Sequence, residues 1–148
     1  VSDYEFVTTR LATGAALQGP DDVVAMASAG ITHVVDCRAE FDDTALFADH
    51  PNISVLWDGT QDDGTPKPGS WFEKGIKFAL SALAMPDHKV YVHCAAGINR
   101  GPSMTYAIML ALGWKGDDAV AAIRAVRPQV GIRYKSDADA AVMGLGYG

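Results

Sequence analysis

The stretch Val90-Tyr91-Val92-His93-Cys94-Ala95-Ala96-Gly97-Ile98-Asn99-Arg100-Gly101-Pro102 decides how this chain is read. Three apolar, β-favouring residues run into a short loop that opens with Cys94, and a helical pattern begins at about Arg100. A loop that ends at a helix N-terminus points several backbone N–H groups at one spot, where the helix dipole adds partial positive charge. Arg100 adds a planar, two-pronged donor suited to a dianion. Gly97 permits positive φ or close approach to a ligand, and Pro102 suits the first helical turn because its missing N–H is not needed there. The three pieces describe an anion cradle.

The field that would hold an oxyanion also stabilises a thiolate, so Cys94 is expected to ionise more readily than a free thiol and to attack a bound phosphate. Ala95, Ala96, Gly97, Ile98, Asn99 and Arg100 are the expected substrate-binding residues. His93 points off the other side of the strand, where it would fix the loop from behind through backbone hydrogen bonds; it receives no acid–base role. The bland alternatives are an inert core thiol at Cys94 and a surface ion pair at Arg100. The complete loop around both residues argues against them.

Every fixed position of the pattern His-Cys-x-x-Gly-x-x-Arg is present here, and the segment resembles the signature loop of cysteine-dependent protein tyrosine phosphatases, specifically the small dual-specificity group. Gly30-Ile31-Thr32-His33-Val34-Val35-Asp36 resembles the early strand of that family, and Val126-Arg127-Pro128 the end of its post-loop helix. The low-molecular-weight phosphatases and arsenate reductases carry their Cys-x5-Arg loop near the N-terminus, whereas this one begins past the middle. Rhodanese-like sulfur transfer also cradles a cysteine, but on a different loop pattern.

Breaking a phosphate ester with a thiolate requires a carboxylic acid near the leaving oxygen, which later activates water. The resemblance places that acid in Trp57-Asp58-Gly59-Thr60-Gln61-Asp62-Asp63-Gly64-Thr65-Pro66, between a strand and a helix. Asp63 is the first choice by its spacing to Gly64 and Pro66, and Asp62 the second. Read alone, these would be solvated turn residues. The family also places Ser or Thr directly after the Arg to help the thiolate leave; here that position is Gly101, and Ser103 lies two residues on. A slow second step is the expectation, with a phosphate-binding module of little turnover as the alternative function.

The rest of the chain sets the frame. Its 148 residues are expected to form one domain, and 49% hydrophobic with 20% charged residues fits a globular class. A net charge of −6 argues against a broad nucleic-acid or membrane-adsorbing surface. No apolar run approaches the roughly 20 residues of a membrane span. A cytoplasmic location is expected, because two cysteines make no disulfide framework and a catalytic thiolate suits a reducing compartment. No cofactor or metal is implied, since His33, His50 and His88 have no ligand-like spacing. The expected partner is a phosphorylated protein or peptide; the oligomeric state is open.

Strand patterns fall at Glu5–Val7, Thr32–Asp36, Ile53–Trp57 and Lys89–His93, and helical patterns at 20–29, 71–84, from the loop to Leu112, from Asp117 to before Pro128, and after Ser136. Their alternation predicts an α/β fold, a central, mostly parallel sheet flanked by helices. Cys37 reads as a buried strand-end thiol, with oxidative pairing to Cys94 the minority reading. Arg38 and Glu40 are expected to pair with each other, and Trp57, more than Trp71 or Trp114, to line the cleft.

Overall fold

The computed structural model describes residues 2–147. Its sheet has five strands: β1 (Tyr4–Phe6), β2 (Leu11–Gly14), β3 (His33–Arg38), β4 (Ser54–Thr60) and β5 (Val90–His93), in the spatial order β1-β2-β5-β3-β4. Only β1 runs antiparallel to its neighbour; β2, β5, β3 and β4 are mutually parallel. β5 therefore lies in the middle, with the signature loop leaving its C-terminal end. That is where ligands bind in parallel α/β sheets.

Side chains alternate across the sheet and sort into two apolar layers. Val35, Cys37, Val90 and Val92 face one layer, built with α2 (Gly69–Leu83), α3 (Arg100–Ala111), α4 (Gly116–Val126) and α5 (Lys135–Gly144). Val34 and Tyr91 face the other, closed by α1 (Pro20–Ser28) and a 3-10 helix at Asp43–Phe47. In α2, Phe72, Ile76 and Ala79 recur at helical spacing and are fully buried. Each of the two larger side chains contributes roughly 1.5–3 kcal/mol.

Two features depart from the sequence patterns. β2, Leu-Ala-Thr-Gly, carries little β-propensity but is buried along its whole length between β1 and β5, so tertiary pairing overrides local preference. α3 is buried on every side from Arg100 to Met109 rather than along one stripe, and Leu112 lies exposed just past its end. A helix enclosed by α2, α4, α5 and the sheet has no solvent face to fill with charge.

Candidate active site

The loop between β5 and α3 is held by its carbonyls, each of which accepts a hydrogen bond from the surrounding protein. Cys94 O accepts from His93 Nδ1 at 3.3 Å, and Ala95 O from the Ala16 amide at 3.1 Å. Arg127 donates to Ala96 O at 3.0 Å and to Gly97 O at 2.8 Å. Ile98 O accepts from Gly131 N and Ile132 N at 2.9 and 3.2 Å. In a trans peptide the N–H points opposite to the carbonyl of the same unit. Five tethered carbonyls in succession thus turn the amides of residues 95–99 toward the other side, which is how a backbone nest for an anion is made. Gly97 has φ +70°, and a β-carbon there would collide with the Gly14 carbonyl carbon. Glycine is required on both counts.

Arg100 closes the nest from the first turn of α3. Its two terminal nitrogens donate to Glu40 at 2.7 and 2.9 Å, and Nη1 also to Thr60 O at 2.9 Å. Its Nε is buried and makes no hydrogen bond among the described residues. The guanidinium is therefore oriented by Glu40, with one buried donor left over for a ligand. Arg100's bidentate hydrogen bonding lowers the Glu40 carboxyl to about 2. The expected Arg38–Glu40 pair is not formed. Asp36 and Arg38 share one face of β3 and pair with each other (2.9 Å), while Glu40, beyond the strand end, turns to Arg100.

Behind the loop lies a buried charge cluster that the sequence pattern did not reveal. His93 Nε2 lies 2.8 Å from Asp43 Oδ2; Arg38 binds Asp36 through Nε and lies 3.7 Å from Asp43. Burial raises the Asp36 carboxyl. Burial also pushes Asp43 upward, but hydrogen bonding to His93 and the charges of His93 and Arg38 bring it below the ordinary range. Asp36, Asp43 and His93 are the one trio of potential metal ligands among the described residues. Arg38 already supplies the cation there. The signal in the sequence was the i, i+2 spacing of Asp36 and Arg38, which places both on one face.

Asp62 and Asp63 take different places. Asp62 reaches the loop: its carboxylate accepts from Asn99 Nδ2 (3.4 Å), Tyr134 Oη (2.7 Å) and Arg133 Nη1 (3.3 Å). Burial raises its carboxyl, but those hydrogen bonds and the charge of Arg100 outweigh it, so the net shift is downward. Asp63 is turned to solvent and accepts from Thr65 N, Thr65 Oγ1 and Lys67 Nζ at 3.0, 2.6 and 2.9 Å, which hold it far below the usual carboxylate range. The order of proximity to the loop is thus the reverse of the order expected from spacing. An Asx turn at Asp63-Gly64-Thr65, reinforced by Lys67, captures the first-choice acid.

Cys94 is 3% exposed and Cys37 is fully buried; both are free thiols in one apolar layer. Burial, with Cys94 and Asp58 nearby, raises the Cys37 thiol well above its usual value. A β-carbon on Gly101 would lie 3.1–3.2 Å from the His93–Cys94 backbone, and Ser103 Oγ accepts the Tyr134 amide at 3.1 Å. Trp57 stays 43% exposed, its indole N–H fastened to Arg38 O at 2.5 Å, whereas Trp71 is buried and donates to Asp58 O.

The model of the family "Dual specificity phosphatase, catalytic domain" matches residues 18–136. The chain belongs to that family. Human protein tyrosine phosphatase type IVA 3 is 35% identical over 100 residues, covering 66% of this chain and 56% of that protein. The chain thus spans little more than half the length of this relative. Among solved structures, a point variant of human DUSP28 superposes with TM-score 0.82 at 18% identity, covering 98% of this chain and 97% of that one. PTPMT1 in complex with PI(5)P superposes with TM-score 0.78 at 18% identity, covering 97% and 99%. These two likenesses concern the fold. Among the described residues no helix is long and apolar enough to cross a membrane.

Proposed function

We propose that the protein is a phosphomonoester hydrolase of the protein tyrosine, dual-specificity type that works through a phosphocysteine intermediate. The observation that carries this reading is the run of five outward-tied carbonyls, which aims the amides of residues 95–99 into a nest closed by Arg100 and begun by Cys94. In the first step Cys94 Sγ attacks phosphorus and the P–O bond to the leaving group breaks. The three non-bridging oxygens gather charge that the amides and Arg100 stabilise more strongly in the transition state than in the ground state. A carboxylic acid delivers its proton to the departing oxygen. In the second step water, giving its proton back to that carboxylate, displaces sulfur and releases orthophosphate.

We assign the proton transfer to Asp62, which contacts the loop through Asn99; a bound phosphate dianion would offset the Arg100 charge that helps hold this carboxyl down and so favour the protonated form that donates. Asp63 serves only once Lys67 and Thr65 release it. Tyrosine phosphate in a protein or peptide is the preferred substrate class, with serine and threonine phosphates next. The loop interior Ala95-Ala96-Gly97-Ile98-Asn99 carries no lysine to meet a multiply charged inositol head group, which disfavours a lipid of the kind named for PTPMT1. The acidic balance likewise disfavours RNA. Gly101 supplies no hydroxyl for the leaving thiolate, so the second step is slow.

Hydrolysis of a generic aryl phosphate that is blocked by vanadate and lost in Cys94→Ser is the expected result. Orthophosphate binding without any product from the wild-type protein would instead make the chain a phosphate-binding module.

A further inference from the structure

Arg127, at the end of α4, is 1% exposed and uses every N–H it has. Nε donates to Gly97 O (2.8 Å) and Nη2 to Ala96 O (3.0 Å), both in the signature loop. The remaining donors go to the N-terminal segment: Nη1 to Asp3 Oδ1 and Glu5 Oε1, each at 2.9 Å, and Nη2 to Asp3 Oδ2 at 3.2 Å. A guanidinium has five N–H groups in a rigid planar fork. With three of them fixed by two carboxylates, the plane of the fork is set, and so is the direction in which the other two hold the loop.

The same N-terminal segment grips the loop a second time through its backbone. Ala15 N donates to Asp3 O at 2.8 Å, which ties the end of β2 to the start of β1. Cys94 N donates to Gly14 O, and Ala16 N to Ala95 O, at 3.4 and 3.1 Å. Directly or through Arg127, residues 3–16 thus orient Ala95 O, Ala96 O and Gly97 O, whose peptide units carry the N–H groups of residues 96, 97 and 98. Asp3 and Glu5 lie outside residues 18–136, the stretch the family model matches.

We infer that the N-terminal segment made of Asp3 and β1 is part of the oxyanion-binding apparatus, with Asp3 and Glu5 acting as positioning residues for the signature loop through Arg127. The inference rests on the proposed phosphate site, and its consequences reach beyond stability. Releasing the fork leaves Ala96 O and Gly97 O free to rotate, and rotation of those peptides withdraws the amides of Gly97 and Ile98 from the oxyanion. A transition-state geometry suffers more from that than a ground state does.

The test compares wild type with the Asp3→Asn/Glu5→Gln double variant and with Arg127→Lys, which keeps the charge but not the fork. Three quantities are read: the dissociation constants of orthophosphate and vanadate, kcat and KM on an aryl phosphate, and hydrogen exchange of the loop amides. Both variants are expected to lose vanadate affinity and kcat by about tenfold, the size of one charge-assisted hydrogen bond. Orthophosphate affinity and KM should change less, and the Gly97 and Ile98 amides should exchange faster. Unchanged affinity, kcat and exchange in folded protein, with only a lower Tm, would overturn the inference and make the contacts purely structural. Because anion binding and exchange are measured without turnover, an inactive wild type that still binds phosphate fails the hydrolase reading alone. A wild type that binds no orthophosphate fails both.

Discussion

At Gly101 a side chain would have to share space with the His93–Cys94 backbone 3.1–3.2 Å away. The residue that makes room for the loop therefore also deprives the proposed phosphocysteine intermediate of a hydroxyl. We predict a burst of product before steady state, with Gly101→Ser shrinking the burst while costing about 1 kcal/mol of stability through overpacking; rapid-quench kinetics and denaturant unfolding read the two effects. Asp62→Asn should lower kcat at least tenfold on substrates with poor leaving groups and little on activated ones, and Asp63→Asn should do less. The opposite order in a leaving-group series would return the proton to Asp63. Asp58 is a different kind of group: buried, with Oδ2 making no hydrogen bond among the described residues, it is raised to about 7 by burial, against the opposing charge of Lys74 and the Gly75 amide. Its folded value lies above the unfolded one, so the stability it contributes is complete below about pH 4 and is lost as pH rises through about 7, on the order of 4 kcal/mol in total. Unfolding free energies from pH 4 to 7 should fall in wild type and flatten in Asp58→Asn.

Elements carry the geometry that single residues cannot. β3 delivers Asp36 and Arg38 to one face and Cys37 to the other, and the 3-10 helix that follows brings Asp43 against His93. Arg38→Met would leave two buried carboxylates without their cation, and we predict a loss of about 3–5 kcal/mol. Adding Asp36→Asn and Asp43→Asn should recover part of it, since apolar or neutral replacements of the whole cluster cost less than breaking it; a single-site loss below about 1 kcal/mol would contradict this. The same element explains a limit of sequence reading. The spacing of Phe72, Ile76 and Ala79 made α2 legible, and Gly97 made the tight turn after β5 legible. β2 was not, because Ala12, Thr13 and Gly14 are strand residues only by virtue of β1 and β5 on either side. The Glu40–Arg100 pair was hidden for the same reason, as its partners are 60 residues apart and meet only once β3 and β5 lie side by side.

Over the whole molecule the chain is acidic, and the proposed phosphate site shares this character, with Glu40 paired to Arg100 and Asp62 against Asn99. Three carboxylates around that site are held down: Glu40 by Arg100, Asp3 by Arg127, and Asp62, against its burial, by Tyr134, Asn99 and Arg100. Their stabilisation is present above the unfolded carboxylate values of about 4 and is lost as pH falls through the lowered folded values. Asp58 works in the opposite direction above pH 4. Asp58→Asn should therefore move the pH of maximum stability upward relative to wild type. An unshifted maximum would contradict the assignment. The layered α/β architecture followed from the alternation of strand and helix patterns. The tie between the N-terminal strand and the loop did not, since Asp3 and Arg127 are 124 residues apart and only Arg127 stood out in the sequence.

Acid quenching during turnover of an aryl phosphate, followed by mass spectrometry of the peptide that contains Cys94, tests the central claim most directly. A phosphoryl group on Cys94 in wild type, enriched in the burst phase and absent from Cys94→Ser, is the predicted result. Product formed with Cys94 never phosphorylated would contradict the account.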